Sequence, residues 1–93
     1  MAKQFIIKPT FQKAYDKLLQ YEQAKVKKAL KLLASYLNTS VTPLGLGIKK
    51  LGEGVYEFRI GLALRGVYIE EKDSIVLVLI GSHDEVQRFI KHF

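Results

Sequence analysis

Apolar side chains recur every three to four positions over residues 11–37, then alternate or run together over residues 48–80. The first rhythm is that of amphipathic helices and the second that of strands. A short strand over 4–8 (QFIIK) comes first and is closed by Pro9. Phe11, Ala14, Tyr15, Leu18 and Leu19 stand at i, i+3, i+4, i+7 and i+8, the spacing of a helix whose N-cap Thr10 suits. After a break near Tyr21, a second helix of about four turns follows. Its apolar stripe is Val26, Ala29, Leu30, Leu33 and Leu37. Lys27, Lys28, Lys31 and Ser35 lie opposite, Lys25 sits on the flank, and Asn38 suits a C-terminal cap. The two helices read as an antiparallel hairpin.

Residues 39–47 (TSVTPLGLG) read as loop, because Pro43, Gly45 and Gly47 break any period. Strand patterns follow over 48–51, 55–60, 64–70 and 75–80. In 55–60, Tyr56, Phe58 and Ile60 share one face and Val55, Glu57 and Arg59 the other. The run 75–80 (IVLVLI) is apolar throughout, as a strand covered on both faces would be. Ser82-His83-Asp84-Glu85 matches the S-x-x-E capping box of a last helix, whose apolar positions are Val86, Phe89, Ile90 and Phe93. The predicted order is β-α-α-β-β-β-β-α. That is an α+β fold: an antiparallel meander with an N-terminal strand, a helical hairpin on one face and a short C-terminal helix.

Composition narrows the class. A chain of 93 residues with 48% hydrophobic content holds one core, so 1–93 reads as a single domain. The absence of cysteine excludes disulfides and thiolate metal sites. No apolar run is long enough to span a bilayer and no targeting signal is evident, so the expected location is cytoplasmic. The net charge of +6 is unevenly spread. Residues 1–50 carry ten basic and two acidic side chains, and residues 51–93 carry five and seven. Such a balance points to nucleic acid as a partner or to a solvated lysine face.

The chemistry-bearing residues are few. No phosphate-binding loop, dinucleotide fingerprint or strained nucleophile turn is present, and His83 and His92 have no metal-ligand set around them. No cofactor or metal is expected. What remains is a group of cations on the meander. Arg59 should point away from the helical hairpin, Arg65 begins the next strand across a tight turn, and Lys49 and Lys50 lie on the strand before. His83 falls in the first turn of the last helix, where backbone N–H groups favour an anion. Two guanidiniums and an imidazole suit phosphodiester cleavage, which needs charge stabilisation on the phosphorane and proton transfer at two oxygens. Plainer roles fit too: Arg59 paired with Glu57 or Glu70, Arg65 as an edge-strand solubility charge, His83 as a helix-start residue, and Lys27, Lys28 and Lys31 as a solvated face.

Residues 50–61 (KLGEGVYEFRIG), 64–68 (LRGVY) and 80–85 (IGSHDE) together resemble the RelE/ParE superfamily of toxin–antitoxin toxins. The likeness covers nearly the whole chain and lies in the order and spacing of short motifs. It implies a small toxin, of the RelE-like branch, neutralised by an acidic, partly disordered antitoxin. RelE-like members cleave mRNA in the ribosomal A site without metal, and ParE-like members poison DNA gyrase. On this resemblance Arg59 matches a basic substrate-orienting position, Arg65 the arginine that stabilises the transition-state phosphate, and His83 a general acid or base. Lys49, Lys50, Lys27, Lys28 and Lys31 are the expected substrate-binding cations. Three departures stand out. Glu57 replaces a lysine, Phe89 replaces a tyrosine, and His92-Phe93 replaces a terminal tyrosine or histidine. Neutral His83 is placed first as the base, with Glu57 and Lys49 as alternatives. Three readings follow: a ribosome-dependent mRNA endonuclease, a non-catalytic gyrase inhibitor, and an inactive protein that binds RNA or an antitoxin. The antitoxin is expected on the edge of the strand 48–51 or in the hairpin groove.

Overall fold

The computed structural model describes residues 3–39 and 46–92. The elements run β1 (Gln4–Ile7), α1 (Pro9–Asp16), α2 (Gln20–Thr39), β2 (Lys49–Gly52), β3 (Val55–Arg59), β4 (Arg65–Glu70), β5 (Ser74–Gly81) and α3 (His83–Lys91). Their order is the expected one, and the class is α+β. Residues 40–45 of the expected loop, and Phe93 of the last helix, lie outside the described residues.

Five strands form one sheet in the order β1-β5-β4-β3-β2. β2 to β5 are antiparallel neighbours, and β1 lies parallel to β5. The parallel pair is possible because α1, α2 and the meander separate β1 from β5 in sequence. Hence β5 is internal, which explains its unbroken apolar run. Ile75 and Leu77 join a cluster with Phe11, Val26, Ala29 and Leu33 of the two N-terminal helices. Val76 and Val78 join a second cluster with Val55, Val67 and Val86, the last from α3. The sheet is therefore covered by α1 and α2 on one face and by α3 on the other. Each fully buried aliphatic or aromatic side chain in these clusters contributes about 1.5–3 kcal/mol.

A β-bulge interrupts the β4–β5 ladder: Val67 pairs with Leu79 and Tyr68 with Leu77, leaving Val78 as the extra residue. Val78 and Leu79 both join the α3-side cluster, whereas Ile80 returns to the hairpin side. Thr10 donates its hydroxyl to the Val78 carbonyl, which ties α1 to the bulge. Thr10 is consequently not the N-cap of α1. Lys8 takes that position, with Pro9 in the first turn, where its missing N–H costs nothing.

Two further boundaries differ from the pattern-based ones. The break between helices falls at residues 17–19 rather than near Tyr21, and α2 runs on to Thr39, past Asn38. Glu22 Oε1 accepts the Leu19 backbone N–H at 3.0 Å, so the helix start is capped by a third-position glutamate without a polar N-cap. Glycine is required at two points. Gly54 has φ +72° in the β2–β3 turn. Gly66 faces Phe58 across β3 and β4, and any Cβ there would run into the Phe58 ring. No helix among the described residues is long and apolar enough to cross a membrane.

Candidate functional site

Arg59, Arg65 and Gly81 are register partners in one row across β3, β4 and β5. The two guanidiniums expected to approach within the sheet therefore do lie on directly opposed residues. His83 begins α3 two residues beyond Gly81, so the same end of the sheet presents Arg59, Arg65 and His83. Lys49 is the register partner of Glu57, which brings both to this face as well.

Glu57 is the one buried charged side chain among the described residues, with 7% exposure. Arg65 Nε lies 3.8 Å from Glu57 Oε2, and Arg65 Nη1 donates to the Gly61 carbonyl at 3.4 Å. Glu57 thus partners Arg65, its diagonal neighbour across the strands, rather than Arg59. Glu70 is taken by Lys3 at 3.1 Å. Arg59 makes no ion pair among the described residues and is exposed. A guanidinium partly buried and held from two sides keeps its orientation at little further entropic cost. Arg65 is that group, so it is neither a loose surface charge nor an edge-strand one.

Arg59 is not directed wholly away from the helical hairpin. Its side chain runs alongside Gly47, and it borders a groove of about 390 Å³ that Lys25, Lys28 and Leu32 of α2 line from the other side. The groove draws in Lys25, which the stripe pattern assigned only to the flank of α2. Lys28 enters it as well, whereas Lys27 and Lys31 are exposed and do not line it. Lys50 alternates to the face opposite Lys49 and sits 3.5 Å from Glu53.

At α3 the capping box forms as expected. Ser82 Oγ accepts the Glu85 N–H at 3.2 Å, and Glu85 Oε1 accepts the Ser82 N–H at 2.9 Å. Asp84 and Glu85 in the first turn already complement the helix dipole. Positive charge for an anion near His83 must therefore come from side chains. One source went unread in the sequence: Lys13 of α1 and Lys17 just beyond its end line a cleft with Gly81 and Glu85. Their i, i+4 spacing on the polar side of the first helix was the available signal. Among the described residues no group of three or more His, Asp or Glu is placed to hold a metal ion.

No protein-family model matches the chain, and no curated protein does either. Solved structures match its fold. A Helicobacter pylori toxin superposes with a TM-score of 0.74 at 24% identity, covering 92% of this chain and 99% of that one. The YoeB dimer from Staphylococcus aureus gives 0.69 at 23% identity, over 89% and 99% of the two chains. The archaeal RelE–RelB complex from Pyrococcus horikoshii gives 0.70 at 19% identity, over 88% and 96%. The chain has the RelE-like toxin fold, as the resemblance of its motifs implied.

Proposed function

We propose that the protein is the toxin of a toxin–antitoxin pair and acts as a ribosome-dependent, metal-independent mRNA endonuclease. The observation that carries this reading is the Arg59–Arg65–Gly81 row with His83 at its end, on a fold shared with RelE and YoeB. A scissile phosphate against this row meets the oriented Arg65 fork, whose donors stabilise the charge that builds on the phosphorane oxygens. Arg59, exposed and without an ion-pair partner among the described residues, orients the adjoining backbone. His83 takes the proton of the 2′-hydroxyl as its oxygen bonds to phosphorus. The bond from phosphorus to the 5′-oxygen breaks, and that oxygen takes a proton from solvent. The products are a 2′,3′-cyclic phosphate and a 5′-hydroxyl. Glu57 is engaged with Arg65 and so positions it rather than serving as base. Lys49, beside Glu57, adds to the positive field.

Ribosome and mRNA are the partners this chemistry requires, and the cytoplasm is where they are met. The antitoxin is an acidic, partly disordered chain that folds over the cationic face. The RelB–RelE and DinJ–YafQ complexes are solved instances of toxins of this fold with an antitoxin bound. The test is cleavage of mRNA on programmed ribosomes, read as new 5′ ends. Arg65→Ala and His83→Ala should each slow cutting by about 100-fold or more. His83→Ala should keep a melting temperature near that of the wild type, whereas Arg65→Ala, which leaves the buried Glu57 without its partner, should lower it. Equal cutting by wild type and both variants would overturn the assignment, and growth arrest with DNA damage but intact mRNA would point to gyrase.

A further inference from the structure

Three depressions join end to end around the end of the molecule that carries Arg59 and Arg65. The cleft beside Gly81, with Lys13 and Lys17, shares Leu64 with a hollow under the 61–63 turn. That hollow holds Tyr21, and it shares Lys25, Gly61 and Leu62 with the α2 groove of Lys28 and Arg59. Five cations thus line a succession of three adjoining depressions. Two acids border it, and both are committed: Glu85 caps the Ser82 N–H and Glu22 the Leu19 N–H. Midway, Tyr21 is 61% exposed, with the Lys25 ammonium 5.6 Å from its ring centre. Leu62 beside it is 99% exposed.

A cationic groove with an exposed aromatic along it is the pattern that binds single strands, because phosphates follow the charge and a base stacks on the ring. We infer that this path is a binding channel for single-stranded RNA, in which Lys13, Lys17, Lys25, Lys28 and Arg59 track the backbone and Tyr21 stacks a base. Gly61, whose carbonyl holds Arg65, lines the channel, so a strand lying in it is delivered to the cleavage row. The inference rests on the RNA-directed reading above and extends it to a site away from the scissile phosphate.

The test is the fluorescence anisotropy of a labelled ten-nucleotide single-stranded RNA with the full chain, titrated at several salt concentrations. Lys13→Ala/Lys17→Ala and Lys25→Ala/Lys28→Ala should each weaken binding and reduce the slope of log K against log salt by about 1.4, since each released phosphate contact contributes about 0.7. Tyr21→Ala should weaken binding about tenfold at every salt concentration, as the loss of a base stack does. Lys72→Ala/Lys91→Ala removes the same charge from outside the path and should change neither quantity at physiological salt, where screening acts over about 8 Å. An equal loss in that control would overturn the channel in favour of diffuse charge. Channel variants that bind like wild type while Arg65→Ala binds weakly would overturn the channel and leave the cleavage site standing. No binding by any form would overturn the channel, and the cleavage reading would then rest on the ribosome assay alone. Unchanged RNA affinity, with loss of binding to a helical peptide of Glu and Leu, would assign the groove to a protein partner instead.

Discussion

Tyr68 lies in the core with its ring stacked on Tyr56, centroids 5.3 Å apart, and with Phe58 tilted against it at 6.0 Å. Burial pushes its hydroxyl well above the usual tyrosine range, and the negative charge of Glu70 pushes the same way. Below the unfolded value of about 10, folded and unfolded chains both hold the proton and stability is independent of this group. Above it the unfolded chain loses the proton while the fold retains it, so stability falls as pH rises. The fall is at most about 1.4 kcal/mol per pH unit. Circular dichroism followed from pH 8 upward should show an alkaline transition that Tyr68→Phe moves to higher pH. At this scale the site was partly legible. Six residues across a tight turn sufficed to set Arg59 against Arg65, because a hairpin leaves little freedom in register. The partner of Glu57 was not legible. Its contact is diagonal, and which diagonal closes depends on where the Arg65 side chain is held by Gly61.

Local chemistry made some elements readable and not others. The capping box at Ser82 needs only four consecutive residues, and both of its hydrogen bonds are present. The start of α2 was hidden because Leu19, an apolar residue, occupies the cap while Glu22 alone serves it. Thr10 looked like a cap by composition, yet its hydroxyl is drawn to Val78 on β5, a contact that no local pattern announces. Because Ser82 also sets where α3 begins, its removal affects both stability and chemistry. Ser82→Ala should cost about 1 kcal/mol, lowering the melting temperature by roughly 4–8 °C. On the proposed mechanism it should also slow mRNA cutting, through the misplacement of His83. A calorimetric scan and a single-turnover assay check the two effects, and an unchanged melting temperature would deny the cap its role.

The whole molecule is a sheet between two unequal layers, and the inequality has dynamic consequences. The hairpin side contributes Phe11, Val26, Ala29 and Leu33 to its cluster, whereas Val86 is the buried side chain of α3. Native-state hydrogen exchange should therefore show α3 opening at a lower free energy than β3, β4 and β5, and Val86→Ala should lower it further while leaving the strands protected. Uniform protection across α3 and the sheet would contradict this. The class and element order were legible from periodicity alone, but the place of β1 beside β5 was not, since the pairing joins distant parts of the chain. Nor does IVLVLI reveal its bulge: with every position apolar, no alternation exists to be broken. That bulge has a consequence for how length variation is tolerated. Counted strictly in twos from Leu77, Ile80 would fall on the side of Val76, and α3 would set out toward the hairpin. Val78 absorbs one step without a turn, which restores the parity of Ile80 and Gly81 with their neighbours. What is conserved by the geometry is therefore phase rather than distance, and a chain one residue shorter at Val78 would bring His83 to the same side of Arg65.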